Sequence, residues 1–250
     1  MNTIVSSMKE WGFTMTNFTY IDLLALLEIE DAHPGGFELT KQLFHNLPLS
    51  SKSKILEVGC GSGKTASYLY HQFRSDITAI DINEKMLQKA KQRFNNEQVP
   101  IKLNAASAEN LPFQNKSFDV VISESVTSFT NVKKSLSEYI RVLNDNGFIL
   151  AIEMTSERLL LNNEQKDIES VYGITQTYTE NEWMTFIKNA GFKKVKVIAG
   201  NTIANVSSGS SSIPMFHQLP SSILSLYYKH QEILYRYANT LGYRVFLCRK

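Results

Sequence analysis

The run Ile55-Leu56-Glu57-Val58-Gly59-Cys60-Gly61-Ser62-Gly63 constrains this chain more than any other. Its first half is apolar but for one glutamate, the pattern of a buried strand. Its second half has glycine at every second position, so the chain leaves the strand through a tight turn that other residues adopt only at a steric cost. A missing Cβ also lets a ligand approach the backbone, and the helix that follows exposes unpaired N–H groups at its start. Further along, Ile77-Thr78-Ala79-Ile80-Asp81 ends a second apolar strand on a carboxylate. In dinucleotide-binding folds an acid near this point accepts hydrogen bonds from ribose hydroxyls. Together the two segments describe a pocket for a nucleoside-bearing cofactor on an α/β sheet.

Two better-known nucleotide motifs each fail by one residue. The dinucleotide fingerprint G-x-G-x-x-G fits Gly59 and Gly61 but needs a third glycine where Lys64 stands. The phosphate-binding loop G-x-x-x-x-G-K-[ST] fits Gly63-Lys64-Thr65 but needs its leading glycine where Val58 stands.

Four blocks carry a resemblance: Leu56-Glu57-Val58-Gly59-Cys60-Gly61-Ser62-Gly63, Ala79-Ile80-Asp81-Ile82-Asn83, Ala108-Glu109-Asn110-Leu111-Pro112-Phe113 and Ser117-Phe118-Asp119-Val120-Val121. In order and spacing, the segment from Lys54 to about Glu153 resembles class I S-adenosylmethionine (SAM)-dependent methyltransferases, and within them the small-molecule group similar to the ubiquinone/menaquinone C-methyltransferases. The resemblance implies a Rossmann-like, seven-stranded, mostly parallel sheet with an antiparallel last strand and helices on both faces. It implies SAM as cofactor, S-adenosylhomocysteine as product and methyl transfer to a small acceptor by in-line displacement.

The same resemblance assigns site residues. Gly59 and Gly61 line the methionine end and Glu57 lies near its amino group. Asp81 takes the ribose, while Ile82 and Met86 cover the adenine. Ser107 and Ala108 occupy the adenine-facing position, although the family often has Asp where Ser107 stands; a serine hydroxyl can still accept a hydrogen bond. Ser123 and Glu124 follow the fourth strand, beside the departing methyl group. Glu124 is a candidate base, and His33, in His33-Pro34-Gly35-Gly36, is a second because imidazole titrates near neutral pH. Tyr20 and His217 are weaker candidates, and Glu153 reads as structural. No metal-ligand set is apparent.

Strands and helices alternate, which specifies a parallel sheet with right-handed crossovers. Strands are expected at about 76–80, 101–103, 118–122, 148–152, 195–199 and 243–248, besides the one ending at Val58. Asn83 caps one helix, a second carries Val132, Leu136, Tyr139, Ile140 and Leu143 on one face, and Thr179 with Glu182 forms the capping box of a third. Before the sheet, Ile21–Leu27 and about 37–47 read as helices. Residues 1–36 are expected to form a helical cap and 37–250 the methyltransferase domain, with a helical insertion at about 200–241. That insertion opens on Ser207-Ser208-Gly209-Ser210-Ser211-Ser212, continues through Ile213-Pro214-Met215-Phe216-His217 and enters a helix bearing Leu226, Tyr227, Ile233, Leu234 and Tyr237.

A net charge of +2 over 250 residues supplies no strong field for nucleic acid or an anionic membrane. No apolar stretch is long enough to span a bilayer, and no basic-then-apolar leader opens the sequence. Two cysteines, Cys60 and Cys248, make neither a disulfide framework nor a zinc site, so a reducing, cytoplasmic setting is expected. A homodimer through the tyrosine-rich insertion helix, a non-catalytic SAM-binding or protein-interaction module, and a methyltransferase acting on protein or RNA remain the alternatives.

Overall fold

A computed structural model describes residues 18–27, 33, 35–206 and 220–250. The stretches expected at 207–212 and 213–217, His217 included, lie outside the described residues, as does most of 1–36. In chain order the described elements are α1 (Tyr20–Leu26), α2 (Gly36–His45), β1 (Lys54–Val58), α3 (Lys64–Phe73), β2 (Asp76–Asp81), α4 (Glu84–Asn96), β3 (Lys102–Ala105) and β4 (Phe118–Glu124). They continue with α5 (Val132–Val142), β5 (Leu143–Ser156), α6 (Asn162–Tyr172), α7 (Glu180–Asn189), β6 (Lys194–Thr202), α8 (Ser221–Arg236) and β7 (Leu241–Arg249). The strands form one seven-stranded sheet in the order β3-β2-β1-β4-β5-β7-β6. All pairs are parallel except those of β7, which runs antiparallel to β5 and β6, as expected.

The chain winds outward from β1 to β3 and then returns to place β4 beside β1. This reversal is a topological switch point, where open α/β sheets leave a crevice at the carboxyl ends of their strands. Register sets Glu57 opposite Ile122 and Val58 opposite Ser123, so the glycine turn and the end of β4 share that crevice.

Both faces of the sheet are buried, and the strand residues divide between them with period two. Leu56, Val58, Val121, Ile149 and Ala151 point into one core with Leu136 and Tyr139 of α5 and Trp183 of α7. Ile55, Ile77, Val120, Ile122 and Leu150 point into the other with Phe44 of α2, Leu69 of α3 and Phe94 of α4. A third core joins Ile168, Val171 and Tyr172 of α6 to Ile233 of α8, Tyr237 and Leu241. Helix α1 leans on this group through Tyr20 and on α8 through Leu23 against Ile223. Its Leu24 packs against Met86 of α4. Helices α1, α6 and α8 thus form a roof beside the carboxyl edge of the sheet. No helix among the described residues is long and apolar enough to cross a membrane.

Several boundaries move for tertiary reasons. Helix α5 stops at Val142, and Leu143 begins β5 rather than closing the helix face. Strand β5 runs to Ser156, beyond the apolar 148–152 segment, because its far half pairs with β7 as far as Ser156 opposite Leu241. Helix α2 spans Gly36–His45 rather than 37–47, and β3 is Lys102–Ala105 rather than 101–103. Helix α6 has no counterpart in the sequence reading: its sequence NNEQKDIESVY is mostly polar. Its local signals are the Glu164 carboxylate accepting the Leu161 N–H at 2.8 Å and Gly173 ending the helix at φ +73°. The Thr179–Glu182 capping box is present at the start of α7, and Asn83 caps α4.

Among the described residues Trp183 is the largest fully buried side chain, and its indole N–H donates to the Met154 carbonyl at 3.1 Å. Trp183→Ala removes this volume and leaves the carbonyl unpaired. A loss of about 3–5 kcal/mol is expected, read as a lower denaturation midpoint in urea.

Candidate active site

The turn after β1 extends the sheet past its last strand residue. Cys60 N–H donates to the Ile80 carbonyl at 2.9 Å, and Gly61 N–H donates to Asp81 Oδ2 at 2.9 Å. The other carboxylate oxygen, Oδ1, accepts the Asn83 N–H at 2.8 Å. One acid therefore holds both the turn and the residue that caps α4. Burial raises the Asp81 pKa, and N–H groups of Asn83, Gly61 and Ile82 oppose the rise.

Gly59 and Gly61 both have positive φ, +67° and +53°. A Cβ on Gly59 would stand 2.3 Å from Val126 Cγ2, so this glycine lets the loop after β4 close on the turn. A Cβ on Gly61 would meet nothing within 4 Å. That open space lies in front of exposed backbone, as a cofactor cradle requires.

Glu57 points into the same crevice and is 4% exposed. Its carboxylate takes the Ala66 N–H, but Oε2 has no hydrogen-bond partner among the described residues. Burial, and then the nearby Glu124 charge, push its pKa well above the usual carboxylate range. A buried, unpaired carboxylate oxygen is costly unless a ligand satisfies it. The ammonium of the methionine moiety is such a ligand, and with the Gly61 cradle and Asp81 it makes the residues present fit SAM.

The expected adenine side is mixed. Ile82 is 76% exposed at the rim, a large aliphatic side chain with a face to offer. Met86 is buried against Leu24 of α1. Ser107, half-buried beyond β3, accepts the Glu109 N–H at 3.2 Å. Ala108 is buried with Leu56, Val58 and Leu111.

Alternation along β4 separates the two residues expected beside the methyl group. Ser123 is fully buried and turns away from the crevice: its hydroxyl donates to Glu153 Oε1 at 3.2 Å and lies 3.0 Å from Thr127 Oγ1. Its side chain is thus committed to hydrogen bonds inside the core. Glu153 also accepts the Thr127 and Ser128 N–H groups, each at 3.1 Å, and the Ser128 hydroxyl at 2.9 Å. It anchors the short helical turn Thr127–Phe129, and with it the loop that carries Val126 against Gly59.

Glu124 points to the opposite face of the sheet, toward α2 and α3. Its Oε1 accepts the Thr40 hydroxyl at 2.8 Å and its Oε2 the Thr65 hydroxyl at 2.7 Å. His33 Nε2 lies 3.0 Å from Thr40 Oγ1 and 3.9 Å from Glu124 Oε1. The fold thus brings together the two catalytic candidates, which are far apart in sequence. The residue after Glu124, Ser125, has φ +56°, a conformation that non-glycine residues hold only under constraint, and its N–H donates to the Ile152 carbonyl. Thr40 and Thr65 escaped the sequence reading. Thr65 sat in the tail of a failed phosphate-loop match, and Thr40 lies within an otherwise ordinary amphipathic helix. Among the described residues no group of three or more His, Cys, Asp or Glu could hold a metal ion.

The methyltransferase-domain family matches residues 56–151. Across 235 residues the chain is 33% identical to the uncharacterized methyltransferase YodH of Bacillus subtilis (strain 168), covering 92% of this chain and 99% of that one. The chain belongs to the class I SAM-dependent methyltransferases. It is also 29% identical to the ubiquinone/menaquinone biosynthesis C-methyltransferase UbiE of Rickettsia massiliae (strain Mtu5), over 68% of this chain and 81% of the relative. The solved phosphoethanolamine N-methyltransferase 2 of Haemonchus contortus, in complex with SAM, shares the fold: TM-score 0.77 at 17% identity, covering 94% of this chain and 58% of that one. The enzyme uses SAM as methyl donor and yields S-adenosylhomocysteine. When bound, SAM supplies a methyl group made electrophilic by its sulfonium. The chain's own residues bind it, orient it and set the charges around it.

Two outcomes test these assignments. Asp81→Ala should weaken SAM binding by about 1.5–3 kcal/mol, the worth of hydrogen bonds to a charged group, which titration calorimetry reads directly. Glu57, whose pKa is raised in the folded state, contributes stability below its unfolded pKa that is lost as pH rises through the raised folded value. In ligand-free protein, the melting temperature of Glu57→Gln relative to wild type should therefore climb as pH increases above the ordinary carboxylate range.

Proposed function

We propose that this enzyme methylates a small molecule held between the SAM crevice and the roof of α1, α6 and α8. The observation that carries the reading is the position of that roof. Helix α1 packs on α4 through Leu24 and Met86, next to the Asp81–Asn83 corner, and on α8 through Leu23 and Ile223. Such a cover favours an acceptor that fits beneath it over a macromolecular surface. The UbiE relative is named for methylation in quinone biosynthesis, and the Haemonchus enzyme has also been solved with phosphomonomethylethanolamine; both names point to small acceptors.

Within this reading Glu57, Gly59 and Gly61 hold the methionine end, Asp81 the ribose, and Ile82, Ser107 and Ala108 the adenine side. Much of the rate enhancement comes from alignment, since holding two reactants in attack geometry removes a large part of the barrier. Glu124 and His33 are the groups placed to manage a proton at the acceptor. The test is transfer of labelled methyl from SAM to two fractions of one cell extract separated by ultrafiltration. Label should appear in the small-molecule filtrate and fall to background with Asp81→Ala. Label confined to the retained protein or RNA would overturn the small-acceptor reading.

A further inference from the structure

The side chains around Glu124 form a hydrogen-bonded chain with a fixed direction. Thr40 is fully buried on α2, and Thr65 is buried in the first turn of α3. Inside a helix a threonine hydroxyl commonly bonds a carbonyl of its own preceding turn; here both hydroxyls reach instead to a carboxylate on β4. An ionised carboxylate only accepts, so each threonine spends its single proton on Glu124. Thr40 then has only lone pairs left for His33, and the ring must donate: Nε2–H to Thr40 Oγ1, and Thr40 Oγ1–H to Glu124 Oε1. The hydrogen bonds join three elements, α2, α3 and β4, which pins the Glu124 carboxyl group in one orientation at the switch point. Two hydroxyl donors leave it with further lone pairs to accept with.

We propose that Glu124 takes a proton from the methyl acceptor, and that Thr40, braced by His33, and Thr65 are the positioning residues that keep it aimed. This rests on the methyl-transfer reading above and narrows its substrate class. The acceptor is one whose attacking atom carries a proton to lose: a phenol or enol oxygen, an acidic carbon, or a primary or secondary amine. A thioether or tertiary amine attacks SAM without losing a proton and gives a base nothing to do. In the reaction the attacking atom's electron pair forms the bond to the methyl carbon. The carbon–sulfur bond breaks with its pair left on sulfur, and the acceptor's proton goes to Glu124. Charges balance, because the donor loses its positive charge as the carboxylate loses its negative one.

The proton chain can be read without any acceptor. In the full-length protein, long-range proton–nitrogen NMR of ring-labelled histidine should show His33 as the Nε2–H tautomer at neutral pH. Thr40→Ser, which restores the hydroxyl, should keep that tautomer, and Thr40→Val should lose its dominance. An Nδ1–H tautomer in the wild type, or a ring unaffected by Thr40→Val in a variant that still binds SAM, would overturn the proposal. A variant that does not fold leaves the wild-type and Thr40→Ser spectra to decide. Labelled SAM is then offered with a phenol, a 1,3-diketone and a secondary amine against a dialkyl sulfide and a tertiary amine. Methylation is expected among the first three, falling about 100-fold in Glu124→Gln. Methylation of the sulfide or tertiary amine, or an unchanged rate in Glu124→Gln, would refute it. Calorimetry with SAM alone separates the two readings: absence of binding to the wild type would remove the methyl-transfer reading, whereas binding with the wrong tautomer removes only the proton chain.

Discussion

The contact on which this architecture depends is the Gly61 N–H to Asp81 carboxylate bond. Pairing between β1 and β2 would end at Val58 opposite Ile80, but it continues through Cys60 N–H to the Ile80 carbonyl and then onto the Asp81 side chain. A side-chain carboxylate thus takes the place of the next backbone acceptor just where the chain must turn away. Its second oxygen holds Asn83, which caps α4 through the Lys85 and Met86 N–H groups at 3.0 and 3.2 Å. Turn, strand end and helix start are fixed by one charged group with lone pairs to spare, which explains how a glycine-rich segment can be rigid enough to hold a cofactor.

Buried carboxylates around the switch point meet the same desolvation cost in three ways. Glu153 is satisfied inside the protein by hydroxyl and N–H donors, and its product is a fixed loop after β4. Glu124 is held by two threonine hydroxyls with an imidazole nearby, and its product is a carboxyl group fixed in one orientation. Glu57 is left with a buried oxygen that has no hydrogen-bond partner among the described residues. All three are glutamates near strand ends, yet each meets a different set of donors.

The roof follows from a different constraint. Strand β5 continues beyond β4 because the antiparallel β7 gives it a partner out to Ser156. That overhang carries Met154 and Thr155 past the sheet edge and gives α6 and α8 a base to pack on, with Met154 joining the Ile168–Tyr172–Ile233 core. Helix α1 then closes the group from the N-terminal side, with Tyr20 against the ring of Tyr172 at a centroid distance of 4.8 Å. Tyr172 in turn lies 2.9 Å from His230 Nδ1, so α1, α6 and α8 meet through one aromatic cluster.

The antiparallel last strand came from the family resemblance; the residue pattern by itself determined the other strands of the sheet, the glycine turn and Asp81. Each rests on a local rule: apolar runs for strands buried on both faces, glycine where φ is positive, an acid at a strand end beside a nucleoside. It also placed Glu57 and named Glu124 and His33, but only as separate candidates. Tertiary structure alone decided that these last two meet, through Thr40, since the His33–Glu124 approach depends on α2 packing over β4. It decided that Ser123 bonds Glu153 and Thr127 while its neighbour Glu124 bonds α2 and α3, because strand alternation sends adjacent side chains to opposite faces. It revealed helix α6, whose polar sequence gains its stability from the α8 and Leu241 surface it packs on. Local propensity and spacing can be read along one chain; the partner that satisfies a buried polar group is supplied by a distant segment, and only folding brings it there.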